Sequence, residues 1–134
     1  MTPIERVQQI YAAFGRGDVP HILSCLAIDV DWEHDASPSP VPWLQPLKGR
    51  HRVPSFFEAL QSNVEITQFQ PTQFFADGNT VVVLVDLEFI ARATGIRVVE
   101  PDEVHIWRLN DQGLVQRFRH RADTWLSAMA LMGD

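Results

Sequence analysis

From Val64 onward the chain stops repeating every three or four residues and begins to repeat every two. This switch constrains the fold more than any other feature, because period two places alternate side chains on opposite faces of an extended strand. It predicts strands at about 65–76, 80–92, 97–109 and 114–124. Asp77-Gly78-Asn79 and Thr94-Gly95 are tight hairpin signals, and Asn110-Asp111-Gln112-Gly113 is a longer loop. Strands joined this closely pair antiparallel, as a four-strand meander. Pro71 removes a ladder donor from the first strand, which predicts an edge or a bulge there. Val81, Val83, Val85, Leu87 and Phe89 share one face of the second strand, while Val82, Leu84 and Ile90 occupy the other between Asp86 and Glu88. A strand apolar on both faces is covered on both.

The first half of the chain is helical in period. Thr2 is placed to cap, Pro3 suits a first helical position and Glu5 completes a capping box. Ile4, Val7, Tyr11 and Phe14 then recur at helical spacing until Gly15 and Gly17. Asp18 caps a second helix, with Ile22, Leu23 and Leu26 as its stripe. A short strand over 30–35 carries Trp32 and His34 on one face. Four prolines between Pro38 and Pro46 force the next loop out of helix, and Trp43 within it is placed to lie over a cavity mouth or against a partner. A third helix runs from about Arg52 to Gln61, presenting Val53, Phe56, Phe57 and Leu60. A last helical turn or two spans 125–131. The order gives a single α+β domain over 1–134, with three N-terminal helices on the concave face of a cone-like, curved, antiparallel (mixed) sheet. Helices this short leave part of that face uncovered, so the cone encloses a ligand-sized cavity.

Bulk composition excludes several classes. A net charge of -6 argues against a surface that tracks nucleic-acid phosphates. Cys25 is the only cysteine, so no intramolecular disulfide forms, and it reads as a small buried hydrophobe. The start, broken by Glu5 and Arg6, does not resemble a signal segment, and the apolar run 81–85 is too short to span a bilayer. The expectation is a cytoplasmic protein that binds neither membrane nor nucleic acid.

Four motifs in order resemble the nuclear-transport-factor-2-like superfamily, in the branch of SnoaL-like polyketide cyclases and ketosteroid isomerases. They are Phe14-Gly15-Arg16-Gly17-Asp18; Asp29-Val30-Asp31-Trp32; Gly49-Arg50 leading to Phe56-Phe57; and Trp107-Arg108-Leu109 through Asp111-Gln112-Gly113-Leu114-Val115. The resemblance implies the cone fold and a homodimer through the convex sheet face. Counted from Gly17-Asp18, the isomerase's general base falls on His34. Counted back from Gly113, its oxyanion acid falls on His105. The same register turns Trp32, Glu103, Trp107, Phe118, His120 and Ala122 toward the cavity. The isomerase's oxyanion tyrosine falls on Ile10, which donates no hydrogen bond, with Tyr11 about 100° further around the helix. Steroid isomerisation with the family's apparatus is therefore not implied.

The chemistry expected from these residues is proton transfer without a cofactor. His34 is the expected base and His105 the expected acid, with Glu103 and His120 assisting and Tyr11, Trp32, Trp43, Trp107, Phe118 and Ala122 binding the ligand. The ligand would be a small hydrophobic carbonyl or polycyclic compound, and the reaction an isomerisation, dehydration or cyclisation. A non-catalytic carrier with the same pocket is the alternative. Three histidines with Glu103 also match a metal ligand count, but no local ligand motif joins them, and no metal is expected. No Gly-rich phosphate loop or Gly-x-Ser-x-Gly elbow is present.

Overall fold

The computed structural model describes residues 1–33 and 39–133. Its helices are α1 (Pro3–Gly15), α2 (Val19–Ser24), α3 (Pro54–Asn63) and α4 (Thr124–Met132). Its strands are β1 (Leu26–Trp32), β2 (Leu47–Lys48), β3 (Val64–Asp77), β4 (Thr80–Ala91), β5 (Arg97–Leu109) and β6 (Val115–Arg121). The six strands form one curved, unclosed sheet in the order β2-β1-β6-β5-β4-β3. β3 through β6 are the antiparallel meander, and β1 runs parallel to β6, which makes the sheet mixed.

Local chemistry accounts for the element ends. The Thr2 hydroxyl accepts from the Glu5 amide while the Glu5 carboxylate accepts from the Thr2 amide, so α1 begins with a complete capping box. Asp18 and Asp123 cap α2 and α4 in the simpler way, each accepting an amide three residues on. Pro54 occupies the first turn of α3, where its missing N–H is harmless. Pro71 lies on the edge strand and beside a register shift, so both devices that tolerate a strand proline are in use.

One boundary differs from the sequence reading. Leu26, expected on the stripe of α2, instead opens β1, and β1 ends at Trp32. Apolar spacing cannot see the cause, which is long-range pairing. The Val115 amide donates to the Cys25 carbonyl at 2.9 Å, and Leu26 faces Val115 across the β1–β6 ladder. Cys25 is buried at the end of α2. The last helical turns expected over 125–131 are present as α4, which packs against β5.

The core sits between α1, α3 and the concave face of the sheet. Val7, Ile10 and Ala13 of α1 meet Val81, Val83 and Val85 of β4 and Trp107 of β5 in one cluster. Phe118 lies between two indoles, with ring centroids 4.4 Å from Trp32 and 4.3 Å from Trp107. Such aromatic pairs contribute roughly 0.5–1.5 kcal/mol each beyond their buried area. A second cluster joins Trp43, Val41 and Leu44 of the proline-rich loop to Phe89, Val98 and Ala130.

Among the described residues, two other than glycine have left-handed backbones, Glu33 with φ 57° and Asp102 with φ 57°. Both interrupt the alternation of a strand. After Trp32 points inward, regular β structure would turn Glu33 outward, yet Glu33 is 2% exposed. In β5, Val85 faces Glu103 but Leu87 faces Glu100, so β5 carries one extra residue at Pro101-Asp102. The Asp102 amide of this bulge is held by Asp86 Oδ1 at 3.1 Å. The extra residue resets the parity of the strand. Val98 and Glu100 before it, and Glu103, His105 and Trp107 after it, therefore all face inward and are buried.

Candidate active site

A cavity with about 80 Å³ of free internal space opens between the helices and the concave sheet. α1 lends it Ile10, Tyr11 and Phe14, and α3 lends Phe56, Phe57 and Leu60. Trp43 reaches in from the proline-rich loop, and Trp32 from the end of β1. The floor is Glu100, Glu103, His105 and Trp107 of β5 with Phe118 and His120 of β6, and Ala122 lies just beyond. Apart from His34, every residue the sequence assigned to the site lines this one cavity. His34 lies outside the described residues. Ile10 and Tyr11 both reach the cavity, although they sit about 100° apart on α1.

The polar groups on this apolar floor form a hydrogen-bonded chain. Trp107 Nε1 donates to the Tyr11 hydroxyl at 3.0 Å. An indole N–H can only donate, so the Tyr11 proton is free to go to His105 Nδ1, 2.7 Å away. His105 then carries its proton on Nε2 and donates it to Glu103 Oε1 at 2.9 Å. Glu100 lies beside Glu103 on the same floor, close enough for the two carboxyls to influence each other's protonation. The bonded order is Trp107, Tyr11, His105, Glu103, with Glu100 next to it, and the donor-only indole sets the direction of each bond.

The titration tendencies agree with that order. Burial pushes Tyr11 well above the usual phenol range, outweighing its bond from Trp107, so it stays a donor. Burial also pulls His105 below the ordinary imidazole value, against the pull of Glu103, which leaves it neutral. For Glu103, burial raises the carboxyl, but the bond from His105 and the charge of His120 outweigh it and hold the group below 4.5. Glu100 is pushed up to about 7, by burial first and by the neighbouring Glu103 charge second. The proton between the two carboxyls therefore resides on Glu100, as expected where two acids share one site.

A second buried pair faces this chain. Glu33 Oε1 accepts from the His120 amide at 2.5 Å and bonds His120 Nδ1 at 2.7 Å. Burial opposes a charge on His120, yet the bond and charge of Glu33, helped by Glu103 and Glu100, hold its pKa above 6.5. The result is an imidazolium whose ring stands 5.7 Å from that of His105. Glu33 takes the His120 amide and Nδ1, which leaves Nε2 as the ring nitrogen that Glu33 does not engage. No group of three or more His, Cys, Asp or Glu among the described residues has an arrangement that could hold a metal ion.

Glu33 and Glu100 were not singled out from the sequence, since strict alternation turns both outward. Pro101-Asp102 was the available sign, because a proline inside a strand marks a bulge. Nothing comparable flags Glu33.

The sequence profile of the SnoaL-like domain matches residues 7–118. The chain belongs to the SnoaL-like family. No curated protein matches it. Solved structures do. An NTF2-like protein of unknown function from Burkholderia pseudomallei superposes with a TM-score of 0.86 at 28% identity, covering 98% of each chain. TerC, crystallised with polyporic acid, superposes with a TM-score of 0.82 at 25% identity, covering 98% of this chain and 99% of its own. A candidate polyketide cyclase from Xanthomonas campestris matches with a TM-score of 0.71 at 21% identity, covering 94% of this SnoaL-like chain and 95% of its own, which speaks for the fold alone. No helix among the described residues is long and apolar enough to cross a membrane.

Proposed function

We propose that this SnoaL-like protein is a cofactor-free proton-transfer enzyme, an isomerase, dehydratase or cyclase, acting on a small hydrophobic carbonyl compound. The observation that carries this reading is the buried chain from Trp107 to Glu103, with Glu100 beside it, set in a largely apolar cavity. Glu103, ionised at neutral pH, takes the proton next to the carbonyl. His105, fixed by Tyr11 and Trp107, orients that carboxylate and keeps it charged. The imidazolium of His120, locked by Glu33, offers Nε2–H to the oxygen on which negative charge develops. Removing water from such a site strengthens each of these interactions. The TerC relative, crystallised with polyporic acid, supports a small organic molecule as the occupant.

Exchange of α-protons measures this chemistry without the natural substrate. Acetophenone in D₂O, followed by proton NMR, is expected to exchange its methyl protons faster with the protein than in buffer alone. The aromatic lining would equally suit a carrier, and binding with exchange no faster than buffer would replace the enzyme reading with that one.

We also propose a homodimer through the convex sheet face. Phe75 of β3 and Val99 of β5 are exposed there, and Val82, Leu84, Val104 and Ile106 are half-buried on the same face. Light scattering is expected to give twice the chain mass, and Ile106→Glu to return a folded monomer. A wild-type monomer at high concentration would end this proposal.

A further inference from the structure

Among the described residues, two buried side-chain polar atoms have no hydrogen-bond partner: Trp32 Nε1 and Glu100 Oε1. Both residues line the same cavity, and they are 1% and 6% exposed. Folded chains seldom leave such atoms unpaired, since each has given up its water for nothing in return. Glu100 feels Glu103 and the Asp123 backbone, yet its Oε1 accepts from neither, and the other polar groups do not supply the missing partners. Tyr11 is taken up by Trp107 and His105, His105 spends both ring nitrogens, and Glu33 is held by His120. The Pro101-Asp102 bulge is what turns Glu100 inward at all, and β-bulges commonly re-aim a side chain beside a functional site. The two orphaned atoms are also chemically opposite. An indole N–H only donates, whereas a carboxyl oxygen accepts.

We propose that Trp32 and Glu100 are the polar anchors that select this cavity's ligand, the indole N–H binding an oxygen acceptor and the Glu100 carboxyl binding a hydroxyl. The ligand class is then a small, largely apolar molecule that carries a carbonyl-type oxygen and, separately, a hydroxyl. This rests on the reading of the cavity as the substrate site, and it names the two specificity-determining residues of that site.

Three molecules of nearly one size separate the anchors: ethylbenzene with neither group, acetophenone with the acceptor, and para-ethylphenol with the hydroxyl. In calorimetric titrations, acetophenone and para-ethylphenol are each expected to bind about fivefold or more tighter than ethylbenzene, the worth of one well-made buried hydrogen bond. Measured against ethylbenzene in the same variant, Trp32→Phe erases the advantage of acetophenone alone, and Glu100→Leu that of para-ethylphenol alone. Wild-type protein gives a reading that does not depend on the variants folding. Its Trp32 indole proton is expected to move downfield with acetophenone and not with ethylbenzene, and its Glu100 carboxyl carbon to respond to para-ethylphenol. Equal affinities for the three, binding of none, or advantages that survive the substitutions would overturn the assignment. Because these are equilibrium measurements, they separate from turnover. Loss of α-proton exchange with the preferences intact counts against the catalytic reading alone, and equal affinities with exchange intact count against the anchors alone.

Discussion

Replacing Glu33 by alanine is expected to destabilise the protein by about 3 kcal/mol near pH 6, read from urea unfolding. The substitution removes one member of a buried ion pair and leaves the other. His120 keeps its burial but loses the bond at 2.7 Å and the charge that hold its proton. Desolvation then dominates, and the His120 pKa falls below the 6.5 of a free imidazole. This sets the sign of the pH dependence. In the wild type, the raised His120 pKa contributes stability that is fully present below 6.5 and is lost as pH rises through the folded value. In the variant, the lowered pKa makes the same histidine a liability below 6.5. The stability gap is therefore widest under mild acid and narrows toward alkaline pH. Histidine titration by NMR checks the cause directly, since the His120 ring should titrate lower in the variant. Glu33→Gln, which keeps an acceptor oxygen but not the charge, should fall between the two. An equal gap at all pH values would assign the loss to the left-handed backbone at Glu33 rather than to the pair.

The same backbone point explains how much of this molecule was legible in its sequence. Local signals were reliable. Thr2, Pro3 and Glu5 announce α1 because a capping box is completed within four residues, and Asp77-Gly78 announces the β3–β4 turn because the requirement for positive φ is met on the spot. Pro71 betrays the edge strand for the same reason. Long-range pairing was not legible. Leu26 carries a helical spacing, and only the ladder to Val115, far along the chain, makes it a strand residue. The site divided along the same line. Glu103, His105 and Trp107 sit in an uninterrupted alternating run, so their shared face could be read directly. Glu33 and Glu100 reach that face only through a left-handed residue, at Glu33 itself and at Asp102. Period two predicts the wrong side for both. Strained backbone often gathers at functional sites, and here one instance turns Glu100 into the cavity while the other turns Glu33 onto His120 of its floor. The catalytic reading changes accordingly. The sequence leads to His34 as base and His105 as acid; His34 lies outside the described residues, and His105 is bonded between Tyr11 and Glu103, which is why the proposal above gives the base role to Glu103.

That change has its largest consequence in Glu103→Gln, which should lower α-proton exchange by about 10²-fold or more, the usual contribution of a positioned general base. Glutamine preserves shape and can still accept from His105 Nε2, so folding should survive while basicity is lost. Rate alone would not separate a base from a structural carboxylate, but the pH profile does. Glu103 is held below 4.5, so the wild-type rate should stay level as pH falls through 4.5 and drop only at lower pH. The alkaline limb should appear above 6.5, as His120, whose pKa is raised, gives up its proton. In Glu103→Gln the acidic limb should vanish while the alkaline one remains. A second change follows from the shared proton. Part of what raises Glu100 to about 7 is the neighbouring Glu103 charge, and a neutral glutamine supplies none. The Glu100 carboxyl, followed by carbon-13 NMR, should therefore titrate closer to 4.5 in the variant. A Glu103→Gln protein with near-normal exchange would remove Glu103 as the base. A Glu100 titration that does not move would break the link between the two carboxyls, and with it the proton chain that runs from Trp107 across the floor of the cavity.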